Sequence, residues 1–206
     1  ATRTSTSNVY YSVASLAGGD WVTSINGALQ IKGEGARLKL NGSIGGTASF
    51  YVGESQNNSF GPQVNLAGAL EAIENFAYLD AQASVSQTFS SPFGAQPGSA
   101  VNATQNRYTQ QAYTVSPYVK GVVPSSNVSY QLRDDNYWTF SSGFGNSIAV
   151  VPDTYANYLS ASMNSPVNPW GWTLSYTRFY YDNGIRNDAL EAPTTYYDLL
   201  GTLPYQ

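Results

Sequence analysis

The chain has 206 residues, neither cysteine nor histidine, and a formal net charge of −4. Those counts exclude disulfides, thiolate chemistry, most zinc and haem sites, a histidine proton shuttle and the basic footprint of a nucleic-acid binder. Charged residues make up 11% and hydrophobic ones 42%, about half the charged share of a typical soluble domain, so the polarity is neutral and the surface that can face water is limited.

The elements are written in period two. Residues 4–14 form the first expected strand, and 20–32 the second, with Trp21, Ile25, Leu29 and Ile31 at odd positions and Ser24, Asn26, Gln30 and Lys32 at even ones. After a turn at Gly33, Glu34 and Gly35 the apolar set moves to even positions in 36–52, where Leu38, Leu40, Ile44 and Phe50 alternate with Lys39, Asn41, Ser43 and Ser49. Strands follow at 63–74, 77–90, 111–123, 127–140, 154–165 and 171–182. In 77–90, Leu79, Ala81 and Val85 oppose Tyr78, Asp80 and Gln82, and the hairpin of 111–123 with 127–140 sets Val115, Val119 and Leu132 against Lys120, Gln131 and Arg133. Such strict alternation marks sheets with two chemically different faces. No apolar run nears the ~20 residues of a membrane helix, so any membrane crossing falls to strands.

The connections alternate in length. Those at 33–35, 74–76, 124–126 and 166–170 are short; those at 52–62, 91–110, 141–153 and 183–195 are long, and only Ala17, Gly18 and Gly19 break the rule. In a meander this places all short turns at one end of the sheet and the long loops at the other. Outer-membrane barrels have that asymmetry, with aromatic girdles flanking the apolar band. Trp21, Phe50, Phe89, Trp138, Phe140 and Tyr155 are expected at the long-loop rim, and Tyr78, Trp170 and Trp172 near the short turns. The fold class expected is all-β: an antiparallel up-and-down transmembrane β-barrel forming a single domain over 1–206. Soluble sandwiches also alternate, and the alternative is a secreted or surface all-β binding or filament-forming protein. A sandwich must fill its inner faces with bulky residues, and the stretch NGSIGGTASF, 41–50, is a thin filling.

About nine to ten strands are present. Single-chain bacterial barrels have an even number, nine are counted, and TYYDLLGTLPYQ, 195–206, reads as the start of a tenth. The chain opens on ATRTSTSN without a methionine and stops at Gln206 rather than on an aromatic residue. The expectation is a processed or trimmed N-terminal part of a larger barrel, completed by further polypeptide or other subunits.

No catalytic arrangement emerges. A Ser-His-Asp triad lacks its histidine, NGSIGG does not fit a nucleophile elbow, and no phosphate-binding glycine motif occurs. Asp134 and Asp135 are adjacent and face opposite sides of a strand. A glycan-active site would have to use Glu71 or Asp80, for which pairing with Lys39 or Arg37 is the simpler role; no cofactor or metal is implied. The expected lumen-lining residues are Lys32, Arg37, Lys39, Glu71, Asp80, Lys120, Arg133 and Asp135, a mildly basic interior. An acidic outer rim comprises Asp20, Glu54, Asp153, Asp182, Asp188, Glu191 and Asp198 against Arg107 and Arg186. Such a lumen favours anionic solutes, with simple charge pairing as the other account. Asp134 and Arg178 fall on lipid-facing positions, where a midplane charge costs ~2–4 kcal/mol, so bulges or strand ends are expected beside them.

The ordered phrases TSTSNVYYS, RLKLNGSIGGTASFYV, NLAGALEAIENFAYLDAQASVSQ, YTVSPYVKG and VSYQLRDDNYW span 4–138, and WTLSYTRFYYDNG extends them to 184. Together they resemble the outer-membrane β-barrel proteins associated with the exosortase (PEP-CTERM) exopolysaccharide system. FAYLDAQASVSQ and VSPYVKG are the distinctive phrases. The resemblance implies a porin-like, non-enzymatic barrel in the outer membrane of a Gram-negative bacterium, serving export or assembly of surface polysaccharide. It carries over no catalytic residues. The implied partners are the lipid bilayer and an anionic polysaccharide. Proteins of that family continue past the equivalent of Gln206.

Overall fold

The computed structural model describes residues 2–6, 20–53, 55, 58–89, 107–143, 152–166, 171–183 and 194–202. They form one antiparallel sheet of ten strands in chain order. These are β1 (Thr2–Thr6), β2 (Asp20–Glu34), β3 (Leu38–Tyr51), β4 (Ser59–Ile73), β5 (Ala77–Phe89), β6 (Arg107–Val122), β7 (Ser129–Gly143), β8 (Thr154–Ser165), β9 (Trp172–Asp182) and β10 (Thr194–Thr202). Each strand pairs with its neighbours in sequence, so the short connections share one end of the sheet and the long ones the other. Among the described residues no ladder joins β1 to β10, and the sheet is open at those two edges.

Several strands differ from their sequence expectation, β6 by starting four residues early at Arg107 and β7 by ending three residues late at Gly143. The described part of the first strand is Thr2–Thr6, starting two residues early, and the rest of the expected 4–14, with the short connection expected at Ala17, Gly18 and Gly19, lies outside the described residues. β4 begins at Ser59, four residues early, because Gly61 and Pro62 are tolerated there. Residues 59–63 pair with β3, while the β5 ladder starts only at Val64↔Val85, so Pro62 lies where one side needs no hydrogen bond. The tenth strand is nine residues long and registers with β9 from Thr194↔Tyr181 to Thr202↔Thr173, more than a beginning.

The short turns use local chemistry. Phe76 N–H donates to the Ile73 carbonyl at 3.1 Å across a turn with Asn75 in the left-handed region (φ 54°), which asparagine tolerates better than most residues. Glu71 Oε1 accepts the Asn75 N–H at 2.6 Å beside the bulge between Glu71 and Ile73. At the next short turn Pro124 precedes Ser125 (φ 61°), and Ser126 N–H closes onto the Val123 carbonyl at 3.1 Å, the proline-then-positive-φ order of a type II turn.

Residues paired across a ladder share a face, so the register assigns every strand side chain from β2 to β9 to one of two sides. Lys39 pairs with Ala69, Ala69 with Asp80 and Asp80 with Ser116; Tyr118 pairs with Arg133 and Arg133 with Ser160. Asn41, Gln82, Lys120 and Gln131 share that side, and Leu38, Leu40, Ile44, Leu79, Val85, Val119 and Leu159 are on the other, as the alternation predicts. Three grooves in the sheet lie on the polar side, lined by residues such as Lys39, Asp80, Gln82, Lys120 and Gln131, so that face is concave. The apolar face is convex and has no second layer among the described residues. Among the described residues the buried hydrophobic ones, Val22 and Tyr51, pair with each other on the polar side at the long-loop end of β2 and β3, whereas on the convex face Leu29 is 65% exposed and Trp21, Ile25, Ile44, Phe60, Leu132 and Leu174 are also exposed.

Close backbone approach replaces a core in fixing β2–β4. A Cβ on Gly42, whose φ is +149°, would collide with the Asn65 carbonyl of β4, and one on Gly46 would lie 2.7 Å from the Phe60 ring that covers it. A Cβ on Gly27 meets nothing within 4 Å. Gly42→Ala is therefore expected to lower equilibrium unfolding free energy by roughly 2 kcal/mol or more, from strain and overpacking, while Gly27→Ala stays within about 0.5 kcal/mol of wild type. Equal stability of the two variants in denaturant titrations would show that β3 and β4 do not meet in this register.

Candidate functional site

The concave face gathers its charged and aromatic groups on β3–β7. Asp80 on β5 and Ser116 on β6 are cross-strand partners, and the register from Val115↔Asn136 to Tyr118↔Arg133 sets Ser116 beside Asp135. Ser116 is 1% exposed. Its small side chain leaves room above β6 for the Arg133 guanidinium, which reaches from β7 over to β5. Arg133 Nε donates to Asp135 Oδ1 at 2.7 Å and Nη1 to Asp80 Oδ2 at 3.1 Å. One cation on β7 therefore clamps a carboxylate of its own strand and, across β6, one of β5. The clamp lines a groove of about 440 Å3 together with Lys39, Asn41, Gln82, Thr114 and Tyr137.

Next to it stands a column of rings and cations. Tyr78 and Tyr118, partners across β5 and β6, stack with centroids 4.9 Å apart and planes 12° from parallel. Lys120 Nζ lies 4.6 Å from the Tyr78 centroid, and the Arg133 guanidinium 4.9 Å from that of Tyr118. These are cation–π distances. Tyr78 stands beside the short turn at 74–76 as expected, and the period of β5 puts it on the concave wall with Asp80 and Gln82.

Of the expected lumen set, Lys39, Asp80, Lys120, Arg133 and Asp135 lie together on this wall. Lys32 is on the same face near the short-turn end, 3.8 Å from Glu34. Glu71 is held by the turn at Asn75. Arg37 leaves the wall: it lies in the β2–β3 turn and binds Glu74 of the next turn through Nη2 at 2.6 Å. The partner of Asp80 is Arg133, not Lys39 or Arg37. With Arg37 gone, Lys39, Lys120 and Arg133 balance Glu71, Asp80 and Asp135, so this wall is neutral overall rather than basic. Among the described residues Lys39 and Lys120 have no salt-bridge partner, and no group of three or more His, Cys, Asp or Glu side chains is placed to hold a metal ion.

The acidic rim acts on the backbone. Asp20 Oδ1 accepts the N–H groups of Trp21 at 2.7 Å and Gly53 at 2.9 Å, and Asp153 Oδ1 accepts Ser141 N–H at 2.9 Å. Asp198 is inside β10, beside Thr177, not at the rim. Glu54, Asp188, Glu191, Arg186 and Trp170 lie outside the described residues, as do the side chains of Arg107 and Phe89. The long-loop aromatic rim takes form on the convex face, where Tyr113–Phe140, Trp138–Tyr155 and Tyr155–Tyr180 have ring centroids 6.1, 5.5 and 6.0 Å apart.

Beneath that rim the convex face breaks its own pattern. Asp134 (β7), Asn157 (β8) and Arg178 (β9) are on the apolar side, and the bulges expected beside Asp134 and Arg178 are absent: the ladders run without a shift from Ser129↔Asn164 to Thr139↔Thr154 and from Tyr155↔Asp182 to Ser165↔Trp172. Hydrogen bonds compensate the charges instead. Asn157 Nδ2 donates to Asp134 Oδ1 at 2.6 Å, Asn136 Nδ2 to Asp134 Oδ2 at 3.0 Å, and Arg178 Nη2 to Asn157 Oδ1 at 2.9 Å. Tyr155 O–H donates to Asn136 Oδ1 at 2.8 Å. Sequence reading found the two charges and missed the two asparagines; the signal was Asp134, Asn136 and Trp138 sharing one face at i, i+2 and i+4.

No protein family, curated protein or solved structure matches the chain.

The clamp is testable by double-mutant cycles. Side-chain exposure is 28% for Arg133 and 11% for Asp135, against 81% for Lys32 and 68% for Glu34. The expected coupling is about 1–2 kcal/mol for Arg133→Met with Asp135→Asn, and close to zero for the Lys32 and Glu34 pair. Equal couplings would mean that water reaches the clamp as freely as it reaches the rim.

Proposed function

We propose that this chain forms the wall of a porin-like outer-membrane β-barrel, non-enzymatic, that serves the passage or assembly of surface polysaccharide. The observation that carries the reading is the division of one sheet into a polar concave face and an apolar convex face with nothing packed on it among the described residues. In a soluble barrel or sandwich the apolar side chains fill the inside; in a lipid-embedded barrel they face out. Strand length agrees. β2 to β9 run from 11 to 16 residues, and at ~3.3 Å per residue even the shortest, tilted by ~40°, crosses a ~25 Å apolar band. The long-loop aromatic rim and the short turns at the opposite end add the asymmetry such proteins have.

The reading requires that the free edges of β1 and β10 be paired, with each other or with further strands, since unpaired backbone groups are not tolerated in hydrocarbon. The resemblance to exosortase-associated barrels supports the polysaccharide assignment. The neutral wall, rich in Asn, Gln, Ser, Thr and Tyr hydroxyl and amide groups, suits a hydroxylated solute more than a strongly charged one, and Lys39 and Lys120 supply the free positive charge that an anionic group on it would meet.

Neighbouring residues give the sharpest check. With no native cysteine, Ser43→Cys and Ile44→Cys place single thiols on opposite faces of β3. In liposomes the first is expected to react with a water-soluble thiol reagent, and a fluorophore on the second to be quenched by lipid-borne nitroxide. A chain that stays folded and monodisperse in plain buffer would end the membrane reading in favour of a secreted or surface all-β protein. In planar bilayers, the double variant Lys39→Glu, Lys120→Glu is expected to move the reversal potential toward cation selectivity at low salt, where the charges are least screened. Unchanged selectivity would remove these lysines from the conduction path.

A further inference from the structure

The convex polar cluster has no role in conduction, since it lies on the face opposite the groove, and a lipid contact gives it none. We propose that β7–β9 form the contact between two copies of this chain, related by a two-fold axis parallel to the membrane normal and passing in front of Leu159. The proposal rests on the membrane reading.

Asp134, Leu159 and Arg178 form one row across β7, β8 and β9: Asp134 is the partner of Leu159, and Leu159 of Arg178. The acid and the base are thus two strand spacings apart, about 10 Å, with an aliphatic residue midway. Two barrels in one membrane have the same orientation, so a two-fold between them must run along the normal, and it sets β7 of one copy against β9 of the other with β8 against β8. A contact of this kind is self-complementary. Here it brings each Asp134 toward the Arg178 of the other copy. Strand tilt offsets the two in height by several ångströms, which the long arginine side chain spans.

Unlike residues of β2 and β3 on this face such as Leu29 and Leu38, which are more than half exposed, Asp134 and Arg178 are only partly exposed, and Asn157, 6% exposed, is covered within the chain itself. The convex surface is therefore divided: β2–β5 present an uncharged, mainly apolar face, and β7–β9 a patch whose two opposite charges are linked through Asn157 without a direct salt bridge between them. A guanidinium and a carboxylate held apart in hydrocarbon gain most from a partner that supplies the opposite charge. Another copy of the same patch does so.

The test is cross-linking of the whole chain in detergent micelles and in liposomes. Leu159→Cys, treated with a short bis-maleimide, is expected to give a covalent dimer in high yield, and Ile44→Cys on the apolar half to give at least tenfold less. Charge exchange then separates this contact from a general effect of mutation: Arg178→Glu is expected to abolish the dimer seen by sedimentation or light scattering in detergent, and Asp134→Lys with Arg178→Glu to restore it. If Leu159→Cys is labelled by monofunctional maleimide but yields no dimer, or if the double variant stays monomeric while its heat-resistant β-structure matches wild type, the proposal is overturned. Should Arg178→Glu fail to fold, the Leu159→Cys result alone decides. Detergent dependence and nitroxide quenching at Ile44→Cys are read on the same preparations, so failure of the membrane reading is distinguishable from failure of the contact.

Discussion

Cross-strand register is the constraint on which everything else in this protein depends. A strand's side chains alternate with a period of two, so a slip of one residue exchanges the faces of the whole strand. In most folds a packed core enforces the register. Here the described part of the molecule has almost no buried apolar side chains, and register is set by local devices: the backbone of β4 against Gly42, the Phe60 ring over Gly46, the Tyr130 ring over Gly121, and turns closed by Asn75 and by Pro124 with Ser125. From these follow both the polar groove and the apolar outer face.

Period two made most of the fold readable. β2, β5, β8 and β9 were placed within two residues at each end, because their alternation is unbroken and Gly, Pro or Asn closes them off. The early starts of β4 and β6 were hidden for different reasons. Gly61 and Pro62 punctuate sequences as turns, yet a stretch with one laddered side accepts them. Arg107, Thr109 and Gln111 lack the apolar alternation that announces a strand; Arg107 is held by the ladder to β5, and Thr109 and Gln111 by ladders to both β5 and β7. Alternation identifies a face and says little of partners. It found Asp80 and Arg133 on one wall but not the reach of Arg133 across β6, and it read Arg37 as a strand residue when it belongs to a turn.

The two charged clusters solve the same problem by different means. On the concave side a guanidinium touches both carboxylates directly, and ring faces of Tyr118 and Tyr78 spread its charge and that of Lys120. On the convex side Asp134 and Arg178 are joined through the amide of Asn157, one strand from each. An amide can donate and accept at once, so it carries the interaction between groups that the pleat holds apart. A polar residue at such a position is unreadable from its own strand, since its meaning lies in residues 21 and 23 places distant in sequence.

The meander also bears on how the chain reaches this state. Among the described strands every ladder joins consecutive ones, so none of these nine pairings has to wait for a distant segment to arrive, and the widest gap bridged is that between Phe89 and Arg107. Loop-closure entropy rises only slowly with such lengths, and a topology of local pairings shortens the search for the native arrangement. Each hairpin, once formed, offers its free edge as the template for the next strand. The chain can accordingly be laid down one strand at a time, in the order in which it is delivered, with no step that requires the whole sheet to collapse at once.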